Sequence, residues 1–235
     1  MANTTDTTNF NLDLVSVVEE AFERCGSELR TGYDLRTARR SLNLLLLEWA
    51  NRGINLWTIE AGTIPLSMNT VAYNLPVDTV DLLEHVLRIG TGATQIDTSI
   101  SRISISDYAA IPNKNATGRP VQILIERRTG ANNSSGTAVP PRITLWPAPD
   151  SNNYTVAYWR LRRMQDAGTG TEGQDVPFRF LPALVAGLAY HLSLKIPGAL
   201  ERRQELKFEY DMQWQVASEE DREKADLRIV PRITY

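Results

Sequence analysis

Residues 36–58 read RTARRSLNLLLLEWANRGINLWT, and the hydrophobic period changes inside them. Leu35, Ala38, Leu42, Leu45 and Trp49 recur every three or four residues, the spacing that puts side chains on one stripe of a helix starting near Asp34. Leu44, Leu46 and Leu47 widen that stripe beyond one amphipathic face, so the helix is expected to be covered on more than one side. Gly53 follows the last turn as a stop signal. From Leu56 the period becomes two, and it stays so until about Asp166. Helix gives way to sheet within a few residues.

Upstream, Val15, Val18, Phe22 and Cys25 share a face of an earlier helix. Asn11 or Asp13 can cap its start, and Gly26 can close it in the left-handed conformation. Downstream, six segments alternate as strands do: 57–66, 72–76, 82–89, 121–127, 142–147 and 154–161. Turn-forming clusters at 130–136 and 149–153 separate some of them, and no helix of adequate length intervenes, which predicts antiparallel pairing. Residues 105–110 read as a short helical turn capped by Ser104 or Ser106.

The final third returns to a helical period. Leu184, Leu188, Leu192 and Ile196 form one stripe, broken by Pro197 and Gly198. In the last helix Leu206, Tyr210, Trp214 and Ala217 form one apolar face, and Phe208, Met212 and Val216 form a second. Two such faces suit contact with both the chain's own helices and a neighbouring subunit; a fully internal helix fits the same periodicity. The predicted class is α+β. A four-helix bundle formed by N- and C-terminal helices carries an inserted antiparallel β domain and an extended C-terminal arm. The expected ranges are 1–55 and 176–222 for the bundle, 56–175 for the insertion and 223–235 for the arm.

The arm stands out because chain ends normally carry polar residues into solvent. Beyond a charged run at 218–226, this one carries Leu227, Arg228, Ile229, Val230, Pro231, Ile233 and Tyr235. Pro231 and the alternating arginines argue against a core strand of its own domain. The segment reads as one that docks on a neighbour. About ten extended residues reach on the order of 33 Å, enough to cross onto an adjacent molecule.

Composition bounds the chemistry. A chain of 235 residues that is 42% hydrophobic can fill one large or two small cores. A net charge of −3 gives no global attraction to nucleic acid or anionic lipid. The single cysteine, Cys25, cannot form an internal disulfide, which fits folding in a reducing compartment. Residues 1–8 lack the pattern of a secretion signal, and the apolar cluster at 44–47 is too short to span a bilayer. A soluble, intracellular product without membrane partners is expected.

Motifs for catalysis, cofactors and metals are weak. His85 and His191 lie in apolar stretches without a second ligand at zinc spacing, and both read as satisfied structural histidines. Cys25 reads as a small buried hydrophobe, with a Cys–His nucleophile pair left open. Residues 168–173, GTGTEG, spell the dinucleotide fingerprint, but Pro177 delays any following helix and no βαβ unit surrounds them. They read as a loop from sheet to bundle. No catalytic residue, cofactor or metal ligand is assigned, and no enzyme activity is expected. The segment YWRLRR at 158–163 interleaves aromatics with Arg160, Arg162 and Arg163, as nucleic-acid surfaces do. An ordinary strand with arginines facing water or an acidic partner is the favoured reading, because the chain as a whole is acidic; a nucleic-acid-binding or DNA-gating protein is the alternative reading.

Within residues 36–58, Leu46, Glu48, Trp49 and Gly53 match a Leu-x-Glu-Trp-x-x-x-Gly pattern. This resembles the second helix of head-to-tail connector proteins, or adaptors, of tailed bacteriophages. The order of elements along the whole chain is similar to theirs, most of all to the tail tubular adaptors of short-tailed phages. The resemblance implies a structural virion protein made in the host cytoplasm and placed at the head–tail junction. It implies a dodecameric ring below the portal protein, lined by helical bundles, with the C-terminal arm inserted into the portal. The β portion would receive tail or nozzle proteins, and genomic DNA would pass through the lumen during ejection. Net acidity would suit such a conduit by repelling phosphate.

Overall fold

A computed structural model describes residues 12–30, 32–53, 56–128, 138–168 and 173–222. The fold is mixed α+β, with five α-helices and two mainly antiparallel sheets among those residues. It divides into two units, one taking in the chain up to Trp57 and again from Met164, the other Thr58–Arg163.

In the first unit, α1 (Leu14–Arg24) is capped by Asp13, whose carboxylate accepts from the Ser16 N–H at 2.8 Å. It ends at Gly26, whose φ of +72° is the left-handed geometry expected there. The closing bonds run from the Gly26 N–H to the Glu23 carbonyl and from the Ser27 N–H to the Phe22 carbonyl. Helix α2 spans Gly32–Asn51 and buries Ala38, Leu42, Leu45, Leu46 and Trp49. Helices α4 (Leu181–Ser193) and α5 (Arg203–Glu220) complete this unit. Every residue of α4 from Ala183 to Ala189 is buried, because α4 touches α1, α2 and α5. Close approach needs a missing side chain: a Cβ on Gly187 would lie 2.9 Å from both a Leu45 methyl and the Tyr210 ring. Trp49, Trp57, Phe180 and Trp214 close the core with ring centroids 4.6–5.7 Å apart.

Two expectations fare differently here. Leu46 is buried, but Leu44 and Leu47 are 59% and 60% exposed, so α2 is covered on one side only. On α5 the first apolar face is buried and the second is exposed, which removes the fully internal reading of that helix within a single chain.

In the second unit, one sheet has the order β1-β8-β3-β4, formed by β1 (Ile59–Pro65), β3 (Thr79–Ile89), β4 (Ile96–Ser99) and β8 (Tyr154–Arg162), all antiparallel. The other has the order β2-β7-β6-β5, formed by β2 (Ala72–Asn74), β5 (Ser101–Ile103), β6 (Gln122–Glu126) and β7 (Arg142–Trp146). Both contribute to one apolar cluster, with Leu82, Leu87 and Val156 from the first and Ile123, Ile143 and Leu145 from the second. The β5–β6 pair is parallel, against the antiparallel expectation. The reason is the crossover of residues 104–121, which contains α3 (Ile105–Ala110) and is long enough to return the chain to the same end. Ser104 caps α3 in a reciprocal capping box with Asp107.

Candidate interaction surfaces

The predicted docking segment, with Leu227, Arg228, Ile229, Val230, Pro231, Ile233 and Tyr235, lies outside the described residues. Its root does not. Asp221, the residue that ends α5, accepts from the Leu56 N–H at 3.1 Å and pairs with Arg179, with its carboxylate almost wholly buried. The C-terminal end of α5 is therefore held by contacts among three separate segments.

Behind α5 sits a polar node built from residues far apart in sequence. The Trp49 indole N–H donates to the Tyr210 hydroxyl at 2.9 Å, and that hydroxyl donates to Glu48 Oε1 at 3.2 Å. Glu48 also pairs with Arg52 one turn on and lies 3.3 Å from His191 Nε2. Burial alone would raise the Glu48 pKa, but Arg52, Tyr210 and His191 outweigh it and hold the carboxyl below its usual range. Burial pushes the Tyr210 phenol well above its ordinary value. Arg52 also lies over the Tyr210 and Trp214 rings, 5.1 and 4.7 Å from their centroids. Glu48 and Trp49 thus fasten α2 to α5.

Outward from the core, the helical unit presents two apolar stripes. Leu44 and Leu47 continue a line on α2 that begins with Tyr33, Arg36 and Arg40, all exposed. On α5, Phe208, Met212 and Val216 are 71%, 45% and 62% exposed. Two of the hollows on the same unit differ in charge. One of about 700 Å³ between α1 and the start of α4 has Leu12, Leu181, Val185, Glu19, Glu20 and Glu23 in its lining. The other, about 480 Å³, is basic, lined by Tyr33, Arg36, Arg39, Arg40 and Asn43.

The remaining sequence candidates take structural places. Arg160 bonds Asp78 and Glu60, the latter at 2.7 Å, and Arg162 bonds Glu60 at 2.8 Å. Arg163 donates to the Val77 carbonyl, and Tyr158 is buried in the sheet core. The basic-aromatic strand is therefore tied to acids of its own unit. Cys25 is buried and its thiol donates to the Ala189 carbonyl at 3.2 Å, while burial pushes its pKa up to about 11. His191 turns to Glu48 instead of to Cys25. His85 departs from expectation: both ring nitrogens are buried without a hydrogen-bond partner among the described residues. Burial pushes its pKa below the usual value.

Of the GTGTEG motif, residues 169–172 lie outside the described set. Gly173 forms a β-bridge with Asp13, and the next α-helix begins only at Leu181, after Pro177 and a 3-10 turn. The helix N-terminus that a pyrophosphate needs is not at the motif. Among the described residues, no cluster of His, Cys, Asp and Glu could hold a metal ion, and no helix is long and apolar enough to cross a membrane.

The profile of the SU10 adaptor protein family matches residues 13–229, nearly the whole chain. The chain belongs to the SU10 adaptor family. It is thus a structural adaptor of a bacteriophage, a class of virion component rather than an enzyme class, and one that interacts with other head or tail proteins. No curated protein matches it significantly. The match covers both units, so the β-rich unit Thr58–Arg163 is part of the adaptor itself and not an appended domain. In this SU10 adaptor, the Leu46, Glu48 and Trp49 pattern is the inner face of α2 together with the node that binds α5.

Sequence reasoning missed the node and the Asp221 clamp. The Glu48–Arg52 spacing was a visible signal for half of the node. Nothing local marked Tyr210 as its acceptor.

Proposed function

We propose that this adaptor forms a dodecameric ring joining the portal of the phage head to the tail, with genomic DNA passing through its lumen during ejection. Helices α1, α2, α4 and α5 act as a four-helix bundle interrupted by the β insertion, placed by the sequence at 56–175. The segment 223–235 is the arm that docks on the portal, and the β insertion receives the tail or nozzle proteins. The family match over residues 13–229 carries this reading. The clamp at Asp221 supports it, since an arm rooted at a fixed point loses less freedom on docking than one hung from a frayed helix. Many arms on one ring would also bind through effective concentration rather than through any single strong contact.

The test is deletion of Leu227 to Tyr235 from the full chain, mixed with portal particles of the same phage and viewed by negative-stain electron microscopy. The truncated protein is expected to keep its circular dichroism spectrum and to lose attachment. Attachment at the wild-type level would remove the arm from the mechanism.

A further inference from the structure

We infer that the exposed stripe of α2 is the seat for the exposed stripe of α5 from a second copy of this chain. The inference rests on the ring reading and specifies how its subunits meet. The α2 stripe runs from basic to apolar: Arg36 and Arg40, then Leu44 and Leu47. The α5 stripe runs from acidic to apolar: Glu201 just ahead of the helix and Glu205 in its first turn, then Phe208 and Met212. Laid parallel, the two share one register at three of four positions, with Phe208 one residue off it. Arg36 meets Glu201, Arg40 meets Glu205, Leu44 falls beside Phe208 and Leu47 beside Met212. Val216 extends the apolar contact by one more turn.

The charges are available for this. Arg36, Arg39 and Arg40 make no ion pair among the described residues, and neither do Glu201 and Glu205, although most arginines of the β-rich unit are paired. The arginines line the basic hollow on α2, which is open to an acidic side chain from outside. Lys207, a basic residue of α5, lies off the stripe by helical geometry. The stripes are different surfaces on different helices, each opposite its helix's own buried face. A contact between unlike surfaces leaves one of each free on every pair, so it propagates from copy to copy and closes into a ring when the rotation permits. Exposed apolar stripes flanked by unpaired opposite charges select for each other and against face-to-face pairing, where like charges would meet.

Cysteine cross-linking of full-length protein tests this. Chains carrying Leu47→Cys and Met212→Cys, with different tags, are mixed with a short bis-maleimide, alone and with portal particles of the same phage. Buried Cys25 serves as the unreactive background. The expected product is a cross-link between the two variants that neither gives by itself. Arg36→Glu with Arg40→Glu in the first chain is expected to cut its yield at least tenfold, and Glu201→Arg with Glu205→Arg in the second to restore it. No mixed cross-link under either condition, or self-cross-linking of Leu47→Cys alone, overturns the pairing. Portal attachment, scored separately, reports on the adaptor reading: attachment without the mixed cross-link refutes only the pairing, and the reverse refutes only the attachment.

Discussion

Replacing Tyr210 by Phe removes one oxygen from the core of the helical unit and nothing else. That oxygen is the acceptor for the Trp49 indole N–H, and Trp49 is fully buried. No other acceptor for the indole exists among the described residues, so the donor is left dry and unpaired. Such an orphan costs about 1–3 kcal/mol. Glu48 loses only one of its hydrogen bonds, since Arg52 still pairs with it, and this adds little. With a urea slope of about 2 kcal/mol/M, a loss of about 2 kcal/mol lowers the unfolding midpoint of the helical unit by about 1 M.

The assay is urea unfolding followed by far-UV circular dichroism, which reports the helices, with tryptophan fluorescence beside it. A double-mutant cycle sharpens the result. Trp49→Phe removes the donor and leaves a small cavity; combined with Tyr210→Phe, no orphan remains. The double variant should therefore be more stable than the sum of the single losses predicts, by about 1 kcal/mol or more. Strict additivity, or a Tyr210→Phe midpoint within error of wild type, would refute the view that this hydrogen bond fastens α2 to α5.

Two further outcomes follow from buried groups elsewhere. Asp221→Ala takes away the acceptor of the Leu56 N–H and the partner of Arg179, so it should cost about 1–3 kcal/mol and speed hydrogen exchange at the Leu56 amide. An unchanged exchange rate there would show that the clamp does not hold the root of the arm. His85 has a folded pKa depressed by burial, so its unfolded form binds a proton first as pH falls. Stability of the β-rich unit is then intact above the unfolded value of about 6.5 and declines as pH drops through the folded one. His85→Leu should flatten the dependence of the urea midpoint between about pH 7.5 and pH 5; an unaltered slope assigns it to other groups.

The helical unit was legible because its signals are local. Leu42, Leu45 and Trp49 repeat with the helical period, Asp13 and Gly26 mark the two ends of α1, and Leu184, Leu188 and Leu192 form a stripe in α4, although that stripe gave no sign that Ala183 to Ala189 are all buried. The second face of α5 was equally visible, but periodicity does not tell an internal face from an outward one; only packing does. The strands β4 and β5 were missed because they are short, polar and largely exposed, and they become strands only by pairing with β3 and β6. Asp221 and Tyr210 gave no warning of their roles, since their partners Leu56, Arg179 and Trp49 lie tens of residues or more away.

Charge shows the same division more sharply. The arginines between Tyr158 and Arg163 have the spacing of a nucleic-acid surface, and Arg36 and Arg40 have the spacing of an ordinary solvated helix face. The fold ties the first set to acids, as the ordinary-strand reading expects, and leaves the second exposed. Glu60 reaches Arg160 and Arg162 from β1, and Asp78 reaches Arg160 from the turn before β3, whereas no acid among the described residues pairs with Arg36 or Arg40. An arginine already bonded to a carboxylate has little left to offer a phosphate or a partner, because breaking the existing pair costs as much as the new one returns. The informative arginines are those that folding leaves unpaired beside exposed leucines. In this chain they lie on α2, within the segment where the period changes, while the matching glutamates lie at the start of α5.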